Sequence, residues 1–497
     1  MFLQHAEIVE HQLALVGVNA ARHKRAGQLV VALDERRQAG EVSVIVHLLE
    51  PGGAGLPEGV RMAALTQPAG PLTVAGCPRC AWQRLRSFHP AVYFEGAGLV
   101  PVVTDADGKM VWAFRPDASG GGLLLLGTEL AADLVLLRQG RPEAASNRPT
   151  EAQWGYAGER PNYLFADLLD SADPFDRPAD WWLWTLRDAL VRHAGVTARD
   201  VLPNGAAGMV IVTGDDDQAP IEDYRAQREL LGDLPVTYFL HPLAQLDAAG
   251  LAEVARGREL EWELHPDALE TPGEYPQRLA EQTAWFEALV GAKPRLVRNH
   301  GFLNDGYWGH ASSWLAHGIT GSSNIPGMDG QIVNGSLLPA RLVLDGKLTP
   351  HWSVLTAFGD GAMFVHDWDA STALEAIRAA GRRIVESGVP GVLVFNLHPA
   401  NHVRAAPMHQ AVRELVESGF VAATLGEAFA WFAEGTQLSS GVRSDADASK
   451  APAERGEPGL FRREERQSLP PTAGRPSGLR GLIRRLGRTE RWSWLRR

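Results

Sequence analysis

Asp215, Asp216 and Asp217 directly follow the apolar run 209–213 and Gly214. Carboxylates this close repel one another, and a cation or several hydrogen-bond donors must offset that cost. A solvated acidic turn capping the next helix is the plain alternative, because Asp is favoured there. Histidines stand at comparable places further on: His265 after the run 260–264, His300 shortly after 295–297, and His398 after the strand-like 391–397. Each alone reads as an ordinary loop histidine, but their recurrence at the ends of successive apolar runs points to one shared site. Carboxylate and imidazole around an open position form the ligand set of a hydrolytic metal, with Zn2+ the best match.

The surrounding elements must bring these residues together. From about residue 205, short apolar runs alternate with stretches of helical periodicity. Strands are expected at 209–213, 235–240, 260–264, 295–297, 319–322, 391–397 and 421–425. Helices are expected at 221–231, 243–256, 274–290, 308–317, 372–386, 403–418 and 427–432, and a long excursion separates 322 from 372. This alternation predicts a parallel sheet, and about seven such units can close into a distorted (β/α) barrel over 205–433. Reactive residues of such folds gather at the carboxyl ends of the strands, where the acidic run and the histidines lie.

Residues 1–140 read as an N-terminal α/β domain with strands at 13–18, 28–33, 42–49 and 123–127 and a helix at 129–137. Its glycine run, Gly120 to Gly122, precedes a strand, whereas a phosphate-cradling loop lies between strand and helix, so nucleotide binding is disfavoured. The connecting segment 141–204 carries Trp181, Trp182 and Trp184 ahead of a helix at 185–193. Core packing is favoured for them over stacking on sugar rings. Residues 434–497 read as a disordered tail. At its end Leu482, Ile483, Leu486, Trp492, Trp494 and Leu495 alternate with arginines, which suits either a solvated tail or a basic amphipathic helix on an anionic membrane or a partner.

A formal net charge of -11 over 497 residues argues against a nucleic-acid-binding body. The two cysteines, Cys77 and Cys80, have no further metal ligands in their flanking sequence and read as ordinary thiols. The first residues are acidic where a secretory signal is basic, and no run reaches the length of a membrane span, so a cytoplasmic location is expected.

The motifs together resemble the polysaccharide deacetylase (NodB-homology) family. Val212 to Asp217 is similar to its Thr-Phe-Asp-Asp-Gly motif, and Val236 to Leu240 to the Ala-Thr-Phe-Phe-Val strand that follows. Glu261 to His265 is similar to Glu-Ile-Gly-x-His, and Arg298 matches the Arg of Arg-x-Pro-Tyr. Asp367-Trp368 resembles the Asp-Trp of the fourth motif, and Phe395 to Pro399 the closing Leu-x-His. Three positions depart from the pattern: the second ligand histidine falls on Leu269, His300 replaces a Pro, and the Gly closing the first motif is Asp217.

The resemblance implies Asp215 as base, Asp216 and His265 as metal ligands, and His398 as the acid that protonates the leaving amine. Arg298 would orient Asp215, and Asp367 and Trp368 would line the substrate site. His300 is the proposed substitute for the missing ligand, and Asp217 is an alternative to Asp216. The expected activity is removal of an acyl group, N-acetyl above all, from an amino sugar or glycan, with a zinc-like ion polarising the carbonyl and lowering the pKa of water to about 7. The rivals are an inactive glycan-binding or scaffold module of the same fold, a metal-dependent amidase on a small non-sugar substrate, and an acidic-cluster phosphohydrolase that would leave His265 and His398 unexplained.

Overall fold

A computed structural model describes residues 5–439 apart from 23–27, 33–42, 48–55, 57, 66–71, 77–84, 119, 147–159, 171, 258, 268–272 and 328. Cys77, Cys80, Leu269 and the tail from 440 onward lie outside the described residues. No helix among the described residues is long and apolar enough to cross a membrane.

The N-terminal part begins with α1 (His5–Leu15), followed by β1 (Ala20–Arg22), β2 (Gln28–Ala32), β3 (Ser43–His47), β4 (Arg61–Ala64), β5 (Thr73–Val74), β6 (Val92–Glu95), β7 (Val100–Thr104), β8 (Met110–Pro116) and β9 (Gly122–Leu126). Two helices close it, α2 (Leu130–Gln139) and α3 (Pro178–Ala194). The strands form one sheet in the order β1-β2-β3-β9-β8-β6-β4, with β5 and β7 attached beside it. The β3–β9 pair is parallel and the other pairs are antiparallel. The strand expected at 13–18 is instead the end of a helix. Ile8, Val9, Leu13 and Val16 recur at helical spacing, and all four are buried.

Trp181 and Trp182 belong to the core. Trp182 is fully buried with its ring 4.9 Å from Trp112, and the Arg177 guanidinium lies over Trp181. One apolar cluster runs from α1 through α3 to Met209, Ile211, Val392 and Phe432, tying the first sheet to the second.

The second sheet is a closed barrel. Its elements are β10 (Gly208–Asp215), α4 (Ile221–Leu231), β11 (Val236–Leu240), α5 (Ala248–Val254), β12 (Leu260–Leu264), α6 (Tyr275–Val290), β13 (Leu296–Val297), α7 (Ala311–Ala316) and β14 (Gly321–Pro326). They continue as β15 (Ala340–Leu344), β16 (Lys347–Gly359), α8 (Ala362–Val365), α9 (Ala370–Ser387), β17 (Gly391–Asn396), α10 (Ala406–Glu417), β18 (Val421–Ala422) and α11 (Leu425–Ser439). The strands pair in parallel in the order β10-β11-β12-β13-β14-β16-β17, and β17 returns to β10 to complete a seven-stranded ring. β15 pairs antiparallel with β16, and β18 adds to the start of β10. Buried on both faces, β10, β11 and β17 carry the near-continuous apolar runs that parallel strands require.

The sixth barrel strand, β16, lies inside the stretch that reads as an excursion. Thr349, His351, Ser353 and Thr356 interrupt its apolar pattern although all four are buried. His351 faces the Ile319 carbonyl at 3.1 Å and the Ser322 hydroxyl at 2.9 Å, while the Thr356 hydroxyl donates to the Ser323 carbonyl at 2.7 Å. Internal partners therefore replace water for His351 and Thr356.

Burial also pushes the His351 pKa down to about 4, against a smaller upward pull from the Ile319 carbonyl. Between pH 6.5 and pH 4 the unfolded chain then binds a proton at this ring that the folded chain refuses, so stability falls as pH falls. Going from pH 7 to pH 5 should cost about 2 kcal/mol through this residue. Urea unfolding at the two pH values checks this: His351→Gln should lose less stability on acidification than the wild type by that amount, and equal losses would refute it.

Candidate metal centre

Five of the seven barrel strands contribute to a single cluster at their carboxyl ends. Asp215 closes β10, His265 follows β12, and Arg298 follows β13. Asp360 follows β16, and His398 comes two residues after β17. The loop carrying His300 is pinned: its N–H donates to the Pro266 carbonyl at 2.9 Å, and neighbouring Asn299 is held by Asn324, Leu303 and Tyr275. Ser323 and Asn324, which read as loop material, stand in β14 and serve as these internal props.

Arg298 is fully buried, its guanidinium stacked over Phe239 at 4.6 Å. It donates to Asp215 Oδ1 at 3.0 Å, to the Ser323 hydroxyl at 2.7 Å and to the Thr356 hydroxyl at 3.3 Å. Asn396 Nδ2 donates to the other oxygen of Asp215 at 2.8 Å, so both carboxylate oxygens are held. Burial pushes the Asp215 pKa up, but His265, Arg298 and His398 together outweigh it and hold the group below its ordinary value.

The acidic run divides at Asp216. That side chain is fully buried and accepts from the Tyr224 hydroxyl at 2.6 Å and from the Gln218 N–H at 3.1 Å. Burial raises its pKa to about 7 against those two hydrogen bonds. Asp217 has a φ of 40° and Gln218 a φ of 64°. This left-handed region favours glycine, and Asp is among the residues that tolerate it. The turn carries the Asp217 carboxylate among three imidazoles. Its Oδ1 lies 3.6 Å from His265 Nε2 and 3.8 Å from His300 Nε2, and its Oδ2 lies 3.5 Å from His398 Nε2.

Asp217, His265 and His300 thus offer one ligand atom each, all within 4.8 Å of one another. A tetrahedral zinc ion with bonds of about 2.0–2.2 Å sets its ligand atoms about 3.3–3.5 Å apart, close to the separations seen here. His265 is also in the correct tautomer. Its Nδ1 lies 2.7 Å from the Arg298 carbonyl, which can only accept, so in the neutral ring the proton sits on Nδ1 and Nε2 presents a lone pair. That buried Nε2 has no hydrogen-bond partner among the described residues. Burial opposes a charge on His265, but Asp215 and Asp217 outweigh it and raise its pKa, so the carboxylates draw positive charge to this point. His300 is shifted down, by burial first of all, and stays neutral as a ligand must.

His398 has a different character. Its Nδ1 lies 2.7 Å from Asp360 Oδ1, and its backbone N–H donates to Asp360 Oδ2 at 2.7 Å. Burial would lower its pKa, but Asp360 overrides burial and raises it to about 10, leaving a protonated Nε2 3.7 Å from Asp215. Asp360 is the carboxylate that orients this ring, and it lies in the stretch with no expected strand. Asp367 is exposed and Trp368 half-buried against the apolar core, in the turn between α8 and α9. Among the described residues no hydrogen bond or ion pair joins either to the cluster. A second residue without a sequence assignment is His241, which follows β11 directly and meets the strand-end criterion that singles out His265.

No protein-family model matches the chain, and no curated protein matches it. Solved structures do. A chain named as a polysaccharide deacetylase from Mycobacterium smegmatis is 18% identical with a TM-score of 0.37, covering 47% of this chain and 92% of that one. The chitin deacetylase of Colletotrichum lindemuthianum is 14% identical with a TM-score of 0.31, covering 45% and 87%. A family 4 carbohydrate esterase pseudoenzyme from Bacillus anthracis is 12% identical with a TM-score of 0.29, covering 44% and 65%.

Proposed function

We propose that this chain is a metal-dependent hydrolase that removes an acyl group, N-acetyl in the first instance, from an amino sugar or glycan. The observation that carries this reading is the convergence of Asp217, His265 and His300 beside a fixed carboxylate, Asp215, and a protonated imidazole, His398. A divalent ion held by the first three would supply a Lewis acid for the acyl carbonyl and make water acidic enough to attack near neutral pH.

The chain's own residues divide the remaining work. Asp215, ionised and held on both oxygens, takes the proton of the attacking water. His398 gives its Nε2 proton to the departing amine, and Asp360 keeps that ring oriented and charged. Arg298 and Asn396 fix Asp215, while Tyr224 and Gln218 hold Asp216 out of the ligand set. The second reading, an inactive glycan-binding module, is favoured by Leu269 at the position of the family's other histidine.

Elemental analysis of the purified chain, paired with acetate release from N-acetylglucosamine oligomers, tests the proposal. About one zinc-like ion per chain is expected, with acetate release that stops on chelation and returns on adding metal. Oligomer binding without acetate release, in a chain loaded with metal, would establish the second reading instead.

A further inference from the structure

His241 lies at the end of β11, edge-on to the cluster, with its ring centroid 5.2 Å from that of His300 and 5.9 Å from that of His265. It is 4% exposed. Its Nδ1 accepts from the Leu243 N–H at 3.2 Å. A backbone N–H can only donate, so Nδ1 keeps its lone pair and the proton of the neutral ring must sit on Nε2. That Nε2 is buried and has no hydrogen-bond partner among the described residues. An unanswered buried donor carries a desolvation cost of about 1–3 kcal/mol, which a ligand's acceptor would relieve.

The neighbouring ring has the opposite tautomer. His265 is fixed by a carbonyl and presents a lone pair, whereas His241 is fixed by an amide and presents an N–H. A group that presents N–H cannot also bind a cation through the same atom. Consistent with this, the ligand group of Asp217, His265 and His300 does not include His241.

We propose that His241 is a catalytic hydrogen-bond donor whose Nε2–H binds the carbonyl oxygen of the acyl group and stabilises the negative charge that develops there. The inference rests on the deacylase reading and names a residue that this reading does not use. When water adds to the acyl carbon, a C–O bond forms, the C=O π pair moves to oxygen, and the water proton passes to Asp215. The oxygen then carries the charge and receives the hydrogen bond from His241. When the tetrahedral species collapses, the pair returns, the C–N bond breaks, and the amine takes the His398 proton. The His241 proton stays on its nitrogen throughout, so the ring acts as a neutral electrophile. Donors preorganised toward such an oxygen are worth about 10²–10³ in rate.

The experiment compares wild type, His241→Leu and His241→Gln by zinc titration and by kcat/KM for acetate release, and reads the His241 tautomer by 15N NMR of histidine-labelled, metal-free protein. His241→Leu should hold zinc with an affinity within about threefold of wild type while kcat/KM falls about 10²–10³-fold. His241→Gln, which returns an N–H near the position of Nε2, should recover at least about tenfold of that loss. The NMR spectrum should show the proton on Nε2. A proton on Nδ1 overturns the proposal whatever the activity, so it remains testable if the wild type releases no acetate. Zinc affinity weakened about tenfold or more in His241→Leu would overturn the proposal, a loss beyond about 100-fold marking His241 as a ligand, and unchanged kcat/KM would make it structural. A wild type that neither binds zinc nor releases acetate defeats the deacylase reading itself.

Discussion

Asp217→Ala and His265→Ala are each expected to lose the bound ion and, with it, acetate release, while Asp216→Asn keeps both. Removing an outer partner of a metal ligand already costs about 10–100-fold in metal affinity, and removing a ligand itself should exceed the upper end of that range. Asp216 is expected to behave differently from its neighbour because Tyr224 and the Gln218 N–H already occupy its two oxygens. Its raised pKa, about 7, also means that a neutral side chain there is little change. Zinc titration of the three variants decides the point. Retention of zinc by Asp217→Ala, with loss in Asp216→Asn, would return the ligand role to Asp216.

His398→Gln should leave the ion in place and lower kcat by about 10²–10⁴, the range a general acid contributes. The same ring makes a pH prediction with a definite sign. Asp360 raises the His398 pKa, and the acid role requires the protonated ring, so activity should persist until pH rises through that raised value. Asp360→Asn removes the charge that holds the proton, and the alkaline limb of the kcat profile should move to lower pH. An unmoved limb in Asp360→Asn would mean that another group supplies the proton. A drop in bound metal in His398→Gln would place this histidine among the ligands instead.

Much of the barrel is legible because parallel strands buried on both faces leave a local mark. The runs ending at Asp215, Leu240 and Asn396 are apolar throughout or nearly so, and turn residues bound them. Once the strands are placed, the carboxyl-end rule brings Asp215, His265, Arg298 and His398 to one rim without knowledge of any contact. The same rule applied to the strand 235–240 reaches His241, whose signal is present in the sequence but weak on its own.

Other features have no local mark. β16 buries His351 and Thr356 against Ser322 and Ser323, and those partners come from a strand about 30 residues earlier. Asp360 stays unread for the same reason, and Asp367-Trp368, which has the better motif match, lies in the turn between α8 and α9. The strand expected at 13–18 becomes the end of α1 because its apolar face packs against helices far along the chain.

The sequence by itself determined which residue types reach the rim of the barrel, since apolar content and strand period depend on neighbours along the chain. Only the tertiary structure decided which way those side chains point. Tyr224 of α4 captures Asp216, the left-handed turn sends Asp217 inward, and an Arg298 carbonyl and a Leu243 amide set two histidines in opposite tautomers. The Arg298 carbonyl meets His265 only once β12 and β13 lie side by side, and the other three each act within one strand-to-helix connection, through backbone angles that residue type alone does not fix.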